Sequence, residues 1–316
     1  MKARIRTLRL LESSAASSAI KGLVTTTIES KGWCTMAGPI IGLGEVLWDL
    51  LPSGPRAGGA PFNFAFHCHQ LGHPAVIVSR VGDDELGHSL RAEVRRLGMS
   101  DEFIQVDAEH PTGTVPVRVA ADGQPTYAIA ENVAWDFLEW RDDFLPLIRS
   151  ARAVSFGTLA QRNVASRKTI QHFLASFSEG QIRLCDLNLR PPFVEQNVLD
   201  GALEMADWLK LNEDEAAEIR ADGQKCDRFE LKCITRGSRG CEITFRGERV
   251  AVPGLPVRVA DTVGAGDAFT AGLLTQLIEG KALAEAARFA NALAALVASQ
   301  PGGTPVIDRA EVERTC

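Results

Sequence analysis

The sequence has no apolar run long enough to cross a membrane, and no basic stretch or stripe of the kind that binds nucleic acid. It also has no internal repeat, low-complexity tract or long linker. The composition is otherwise that of a soluble globular protein, with 45 % hydrophobic residues, 23 % charged residues and a net charge of −6 over 316 residues. This length permits one large α/β domain, or one domain with a small appendage. We therefore expect neither a nucleic acid nor a membrane as a partner.

No C-x-x-C pair occurs among the seven scattered cysteines, so zinc ribbons and dithiol redox motifs are unsupported. Reduced thiols are the simplest interpretation, and they predict a cytoplasmic protein. His67-Cys68-His69 has metal-binding residue types, but it lies in a predicted helix, where residues i and i+2 do not share a face. We therefore expect no metal site at this tripeptide.

Residues 1–37 differ in composition from the rest of the chain. Their arginines and their Ser-, Ala- and Thr-rich run are typical of a transit peptide, although Glu12 and Glu29 argue against one. Met36 stands just before the first clear strand. We expect a disordered or mis-assigned N-terminal extension over 1–37, followed by a single domain over 38–316.

From residue 40 onward, short apolar runs alternate with amphipathic segments. The predicted strands are 40–46, 75–81, 153–156, 182–187, 208–211, 231–235 and 241–245. The predicted helices are 61–71, 85–97, 164–177, 194–206, 213–220, 266–279 and 283–299. This alternation predicts an α/β fold with a doubly wound, mostly parallel sheet and helices on both of its faces. In such a sheet, ligands bind beyond the carboxyl ends of the strands.

Two short alternating runs, 115–120 and 126–130, interrupt this rhythm. Asp122-Gly123 between them is a hairpin signal, so we expect these residues to project from the main sheet. An exposed hairpin edge can pair with a second copy of the chain, and we therefore expect a homodimer formed through it.

The most informative stretch is Asp261–Phe269, in which a Gly-Ala-Gly turn opens a helix. No Gly-Lys-Ser/Thr follows, so it is not a Walker A loop, and it lacks the third glycine of a dinucleotide fingerprint. The N–H groups of the turn would face a phosphate at the positive end of the helix dipole. Asp267 in the first turn can accept a hydroxyl proton, and this position favours its ionised form. The combination predicts phosphoryl transfer to an alcohol.

Five more polar clusters follow predicted strands or open the first helix, at the edge where a ligand should bind. They are Gly44–Asp49, Gly58–Asn63, Asp186–Arg190, Lys210–Glu215 and Thr235–Gly240. Taken singly, each could be turn chemistry, a helix cap or solvated charge. Their position on one edge of one sheet favours a common site.

Gly58-Gly59-Ala60-Pro61 with Asn63, and the run Asp261–Asp267, resemble the two signature regions of the ribokinase-like (PfkB) carbohydrate kinases. Asn212 with Glu215 resembles that family's N-x-x-E element, and 235–240 resembles its T-x-G-x-x-G turn. Order and spacing agree from about residue 40 to residue 303. The runs 44–49, 133–136 and 157–162 look most like the fructokinase branch. The resemblance implies a ribokinase-like fold with a small β lid from about 47–58 and 113–132.

The resemblance also implies roles for individual residues. Asp267 would be the catalytic base, and the N–H groups of Gly264, Ala265 and Gly266 would hold the transferring γ-phosphoryl. The sugar would be held by Asp49, Gly58, Gly59, Asn63, Arg118, Gln161 and Arg162. ATP would be bound by Asn188, Arg190, Lys210, Asn212, Thr235, Gly237, Gly240, Asn291 and Gly303. Asn212 and Glu215 would help to place Mg²⁺ through water, and a monovalent cation such as K⁺ would sit near Asp261.

Two of these positions keep alternatives. Arg190 either binds a phosphate or pairs with Asp186. Arg118 either contacts the substrate or faces solvent, and the residues at 161–162 are assigned by the branch resemblance alone. Trp135-Asp136 is interpreted as a structural anchor.

The function implied by the resemblance is transfer of the γ-phosphoryl of ATP to fructose, giving fructose 6-phosphate. Alternatives in the same class are kinases for ribose, a nucleoside or 2-keto-3-deoxygluconate. A catalytically silent sugar- or nucleotide-binding regulator would be a different class. It is disfavoured because the base and the anion hole are both present.

Overall fold

A nine-stranded sheet forms the centre of the computed structural model, which describes residues 38–51, 54–119, 125–221 and 228–316. Its strands and those of a second sheet are β1 (Ile40–Leu43), β2 (Leu47–Leu51), β3 (Gly54–Gly58), β4 (Ala75–Gly82), β5 (Ile104–Asp107), β6 (Thr114–Val119), β7 (Pro125–Tyr127), β8 (Ala153–Phe156), β9 (Ile182–Asp186), β10 (Trp208–Asn212), β11 (Leu231–Thr235), β12 (Cys241–Phe245) and β13 (Glu248–Val252). The helices are α1 (Ala60–Gln70), α2 (Glu85–Arg96), α3 (Phe144–Ser150), α4 (Val164–Ala175), α5 (Gln196–Met205), α6 (Glu213–Ala221), α7 (Ala265–Ile278), α8 (Leu283–Ala298) and α9 (Arg309–Thr315).

The strand order in the large sheet is β13-β12-β11-β10-β9-β8-β1-β4-β5. The strands from β11 to β5 all pair in parallel, and β12 and β13 add an antiparallel edge. Parallel pairing places the carboxyl ends of β1, β8, β9 and β10 along one edge. The predicted mostly parallel sheet is confirmed.

Helices cover both faces of this sheet, as the sequence predicts. Ile40 of β1 packs in an apolar cluster with residues of α1, α7 and α8, whereas Ile41 packs in another with residues of α3, α4, α5 and α6. In β10, Trp208 packs in the first of these clusters and Leu209 in the second. All four side chains are fully buried. Burial of an aliphatic side chain of this size stabilises the fold by about 1.5–3 kcal/mol. The sheet is therefore the middle layer of a three-layer structure.

The second sheet has four strands in the order β3-β2-β6-β7. β2 and β3 are antiparallel, β2 and β6 are parallel, and β6 and β7 form the predicted hairpin. These strands correspond to the small β lid expected from 47–58 and 113–132. The Asp122-Gly123 turn lies outside the described residues, and so does the side chain of Arg118, whose backbone pairs with Thr126. The homodimer through this sheet stays a prediction.

The first strand is shorter than predicted. β1 ends at Leu43, because the chain turns at Gly44 and enters β2 at Leu47. Gly44 has a φ of 144°, and an added Cβ would lie only 3.0 Å from Pro61 Cγ. β5, β13, α3 and α9 are additional to the predicted elements. All four are short, so their periodicity is weak in the sequence.

The expectation for residues 1–37 lies outside the described part of the chain. All described residues fall within one contact unit, Trp33–Cys316. Among them, we find no helix with the length and apolar character that a membrane span requires.

Candidate active site

The start of α7 has the geometry of an anion-binding turn. Gly264 precedes the helix with a φ of 76°, a conformation that favours glycine, and an added Cβ would lie 2.4 Å from Gly303 Cα. The first helical hydrogen bond runs from Ala268 N to Gly264 O, and Ala265 N makes only a long 3.3 Å contact to Thr262 O. N–H groups of the first turn are therefore available to an anion at the positive end of the dipole.

Asp267 projects from this first turn into the cleft. Its Oδ2 accepts a 2.8 Å hydrogen bond from Asn63 Nδ2 on α1. Burial and the nearby charge of Asp186 raise the pKa of Asp267 to about 6, although the Asn63 hydrogen bond opposes this shift. The helix terminus therefore does not hold this carboxylate in the strongly ionised form that its position predicts. The result is a better general base than an ordinary carboxylate.

Asp49, one of the predicted sugar-binding residues, lies near Asp267. Asp49 on β2 reaches over Gly58, where an added Cβ would lie 2.2 Å from Asp49 Oδ2. Burial and the charges of Asp261 and Asp267 raise the pKa of Asp49 to about 6. These carboxylates therefore share one electrostatic environment.

Gly59 and Asn63 are also predicted to bind the sugar. Gly59 has a φ of 108°, and an added Cβ would lie 2.5 Å from Glu45 O, so only glycine fits. Asn63 Oδ1 is buried and has no hydrogen-bond partner among the described residues. An unpartnered buried acceptor beside the base is suited to a ligand hydroxyl.

Glu45 is a site residue to which the sequence analysis assigns no role. It is buried, and it lines a cavity with Asp186, Asn188 and Asp267 at the ends of β1 and β9. Burial, with a smaller contribution from the charge of Asp267, raises the pKa of Glu45 to about 7. The position of Glu45 directly after a buried strand is the signal in the sequence that could have identified it as a site residue. The resemblance implies a role for Asp49 in the same cluster and none for Glu45.

Lys210, and not Arg190, pairs with Asp186. Lys210 Nζ lies 2.9 Å from Asp186 Oδ1, and Thr270 donates to the other oxygen at 2.9 Å. Burial lowers the pKa of Lys210, but the charges of Asp186, Glu215 and Asp267 and the hydrogen bond to Asp186 together outweigh it and keep the pKa above its ordinary value. An added Cβ at Gly266 would lie 3.1 Å from Lys210 Nζ, so the ammonium lies beside the anion-binding turn.

Arg190 stays exposed, and its charge lowers the pKa of Glu45, Asp49 and Asp267. The charge of Arg190 therefore acts on the carboxyl groups of the cleft, and its predicted role in phosphate binding stays a prediction. Of its two predicted roles, pairing with Asp186 is wrong, because Lys210 occupies that position.

Asn212 and Glu215 form a reciprocal helix cap at the start of α6. Asn212 Oδ1 accepts from Glu215 N at 2.9 Å, and Glu215 Oε2 accepts from Asn212 N at 2.7 Å. Glu215 Oε1 accepts from Leu189 N at 2.8 Å. Each of these oxygens retains a lone pair that can accept a hydrogen bond from water, which is compatible with a magnesium ion placed through water. Within the described ranges, no group of three His, Cys, Asp or Glu side chains could hold a metal ion.

Two of the residues predicted to bind ATP, Thr235 and Asn291, form hydrogen bonds to backbone carbonyl groups. Thr235 Oγ1 donates to Leu211 O at 3.2 Å, and Asn291 Nδ2 donates to Pro253 O at 3.2 Å. An added Cβ at Gly240 would lie 2.0 Å from Val252 O, whereas Gly237 is open within 4 Å. Asn291 is therefore positioned to fix a loop beside the site, and its amide nitrogen is already used.

Gly303, which the resemblance assigns to ATP binding, packs against Asn63 and Gly264. An added Cβ would lie 2.7 Å from Asn63 Nδ2, and Gly264 packs against its other side. Gly302 N donates to Asp261 Oδ2 at 3.0 Å, while Asp261 Oδ1 accepts from Val263 N at 3.0 Å. Gly303 is thus part of the catalytic turn. The monovalent cation near Asp261 stays a prediction.

The assignment of Gln161 and Arg162 to the sugar is not supported by their contacts. Gln161 is buried and donates to Gly157 O at 2.8 Å. Arg162 makes two 2.8 Å hydrogen bonds to Asp136 and stacks between Trp135 and Phe193, at 4.2 and 4.5 Å from the ring centres. Its side chain is 8 % exposed. Arg162 therefore belongs with Trp135-Asp136 to a structural anchor.

Comparisons with known proteins agree with this geometry. The profile described as pfkB family carbohydrate kinase matches residues 54–309. A fructokinase of Klebsiella pneumoniae is 31 % identical over 262 residues, which cover 77 % of this chain and 85 % of that protein. Fructokinase-2 of Oryza sativa subsp. japonica is 28 % identical over 303 residues, which cover 85 % and 90 %. The crystal structure of a sugar kinase from Pyrococcus horikoshii in complex with ATP has a TM-score of 0.78 at 26 % identity, covering 88 % of this chain and 100 % of that one.

We predict that Arg162→Met lowers the free energy of unfolding by about 3–5 kcal/mol, because it leaves the buried Asp136 carboxylate unpaired. Arg141→Met is the matched control: it breaks an exposed pair with Asp143 and should cost less than about 1 kcal/mol. Urea denaturation of both variants measures this difference. Unchanged stability of Arg162→Met together with a large rise in the sugar KM would instead make Arg162 a substrate ligand.

Proposed function

The chain belongs to the pfkB family of carbohydrate kinases, and from that premise we propose that it is a cytoplasmic, ATP-dependent fructokinase. The observation that supports the chemistry best is the position of Asp267, a carboxylate of raised pKa in the first turn of an anion-binding helix. The fructokinases of Klebsiella pneumoniae and rice support the choice of fructose. The five described cysteines, at 68, 185, 233, 241 and 316, are free thiols, which suits a reducing compartment.

The proposed reaction moves one proton and one phosphoryl group. The sugar hydroxyl attacks the γ-phosphorus, its proton passes to an Oδ atom of Asp267, and the bond from the γ-phosphorus to the β-side oxygen breaks to release ADP. Charge in the loose transition state spreads over the equatorial oxygens. The N–H groups of Gly264, Ala265 and Gly266 would stabilise that charge without reorganising.

The sugar would be held by groups that match neutral hydroxyls. Asp49 can accept from two hydroxyls, and Asn63 Oδ1 offers a further buried acceptor next to the base. Gly58 and Gly59 keep the floor of the cleft free of side chains. The lid sheet would close over the sugar and exclude water, which would otherwise hydrolyse ATP.

ATP would lie along the turn after β11, with Thr235, Gly237 and Gly240 on its phosphate and ribose side. The relative from Pyrococcus horikoshii that was solved with ATP supports this choice of nucleotide. Arg190 and Lys210 would offset the phosphate charge, as would Asn188 by hydrogen bonding. Magnesium, when bound, supplies further charge neutralisation. Asn212 and Glu215 would support it through water.

Kinases for another sugar or nucleoside are the alternatives in the same class, because specificity rests on few hydroxyl contacts. A silent binding protein is the alternative from a different class. Intact Asp267 and intact glycines at 264 and 266 argue against it.

We predict that ADP release across a panel of fructose, ribose, 2-keto-3-deoxygluconate and adenosine, with and without Mg²⁺, shows the highest kcat/KM for fructose and requires Mg²⁺. Asp49 and Asn63 supply acceptors for neutral sugar hydroxyls, and the choice of fructose rests on the fructokinase relatives. Preference for another member of the panel would overturn fructose as the substrate. No turnover on any member would favour the silent binder.

We also predict that Asp267→Asn lowers kcat by about 10²–10⁴-fold, because the amide cannot accept the hydroxyl proton. Sugar affinity, measured by titration calorimetry, should change little. Asp308→Asn is the matched control, since Asp308 is another carboxylate at a helix N-terminus, where it accepts from Ala310 N at 2.9 Å. Near-normal kcat in Asp267→Asn would mean that another group is the base.

A further inference from the structure

Three polar side chains on one face of α1 contact residues from the C-terminal part of the chain. Asn63, His67 and Gln70 are spaced at i, i+4 and i+7, so they share a face. Asn63 binds Asp267, as described above. His67 is fully buried, and its Nε2 lies 2.9 Å from Gly303 O.

The contacts of His67 define its tautomer. Gly303 O can only accept, so Nε2 carries the proton and donates it. Nδ1 therefore accepts, and Gln70 Nε2 donates to it at 3.0 Å. Burial lowers the pKa of His67 to about 4, which keeps the ring neutral at physiological pH. Both ring nitrogens are satisfied, as a buried imidazole requires.

Gln70 extends the same link along the chain. Its Oε1 accepts from Ile307 N at 2.7 Å, and its Nε2 also donates to Pro305 O at 3.2 Å. Helix α1 thereby holds residues 303–307 through three side-chain contacts to backbone atoms, more than 200 residues away in the chain.

The segment held in this way lies against the catalytic turn. Gly303 packs between Asn63 Nδ2 and Gly264, so that a Cβ on either glycine would overlap the other groups. Gly302 N is tied to Asp261 Oδ2 at the start of the same turn. A displacement of Gly303 would therefore move this turn, with its N–H groups and Asp267, relative to Asn63.

We propose that His67 is a positioning residue for phosphoryl transfer: by fixing Gly303, it sets the position of the turn that opens α7, which carries both the base and the N–H groups, relative to Asn63 on α1. This inference rests on the proposed function, because it concerns the same transition state. His67 contacts neither the sugar nor ATP in this arrangement. A displacement of about 1 Å in such a site can cost up to about 10²-fold in rate.

A purely structural role for His67 makes a different prediction. Its removal would then lower stability without changing the kinetics of the folded fraction. Cys68→Ala provides the matched control, because Cys68 is also fully buried on α1 but packs in the apolar core. Truncation there creates a cavity while leaving the bond from His67 to Gly303 intact.

The kinetic test compares His67→Leu, His67→Gln and Cys68→Ala by kcat and sugar KM. We expect kcat of His67→Leu to fall about 10- to 100-fold with sugar KM within about threefold, and we expect His67→Gln, which keeps a donor near the Nε2 position, to recover most of kcat. Cys68→Ala should keep a normal kcat. Equal kcat in His67→Leu and Cys68→Ala would overturn the proposal. If His67→Leu does not fold, Gln70→Met tests the same link, with the same direction expected.

Hydrogen exchange of the unliganded protein separates this proposal from the proposed function. In His67→Leu, peptides covering 262–268 and 301–307 should exchange at least about tenfold faster than in the parent protein, whereas Cys68→Ala should leave both unchanged. Unchanged exchange in His67→Leu would overturn the positioning role whatever the substrate is. Faster exchange in a protein inactive on every sugar would support the link and sink only the proposed function.

Discussion

The hydrogen bond from Asn63 Nδ2 to Asp267 Oδ2 is the contact on which the site depends. It joins the first helix, which opens on the sugar-side glycines, to the seventh, which opens on the anion-binding turn. The two residues are 204 positions apart, so only the folded three-layer core brings them together. Because both helices pack in the same apolar cluster, the core fixes their separation. Base, sugar side and anion hole thereby become parts of one rigid arrangement.

The same burial that orders the site also sets its electrostatics. Glu45, Asp49, Asp186 and Asp267 crowd one cleft, and for Glu45, Asp49 and Asp267 burial is the largest cause of the raised pKa. Lys210 neutralises Asp186, and that pairing leaves Arg190 exposed at the cleft. A net acidic cleft suits a neutral polyol, and the phosphates of a nucleotide meet cations and backbone N–H groups on the other side. Strongly shifted pKa values that cluster in one cleft are typical of a catalytic site.

The sheet, the lid and the catalytic turn could be predicted because their signals are local: apolar runs, an Asp-Gly turn and glycines before a helix. Roles that depend on distant partners could not. Arg162 has the chemistry of a ligand, but in the fold its guanidinium hydrogen-bonds to Asp136 and stacks on the rings of Trp135 and Phe193. Asn212 and Glu215 match a family element, yet the structure shows that they cap α6. The contact of His67 with Gly303 spans 236 residues and leaves no mark in local periodicity.

We propose that Asp267 is the base for phosphoryl transfer, in a cleft whose carboxylates are partly neutralised. The most direct measurement is kcat/KM for the sugar as a function of pH. Because Asp267 must be deprotonated and its pKa is raised to about 6, activity should be full above pH 7 and fall as the pH drops through about 6. The acid limb belongs to the coupled set with Asp49, whose pKa is also raised to about 6. A profile that stays flat down to pH 5 would contradict the account.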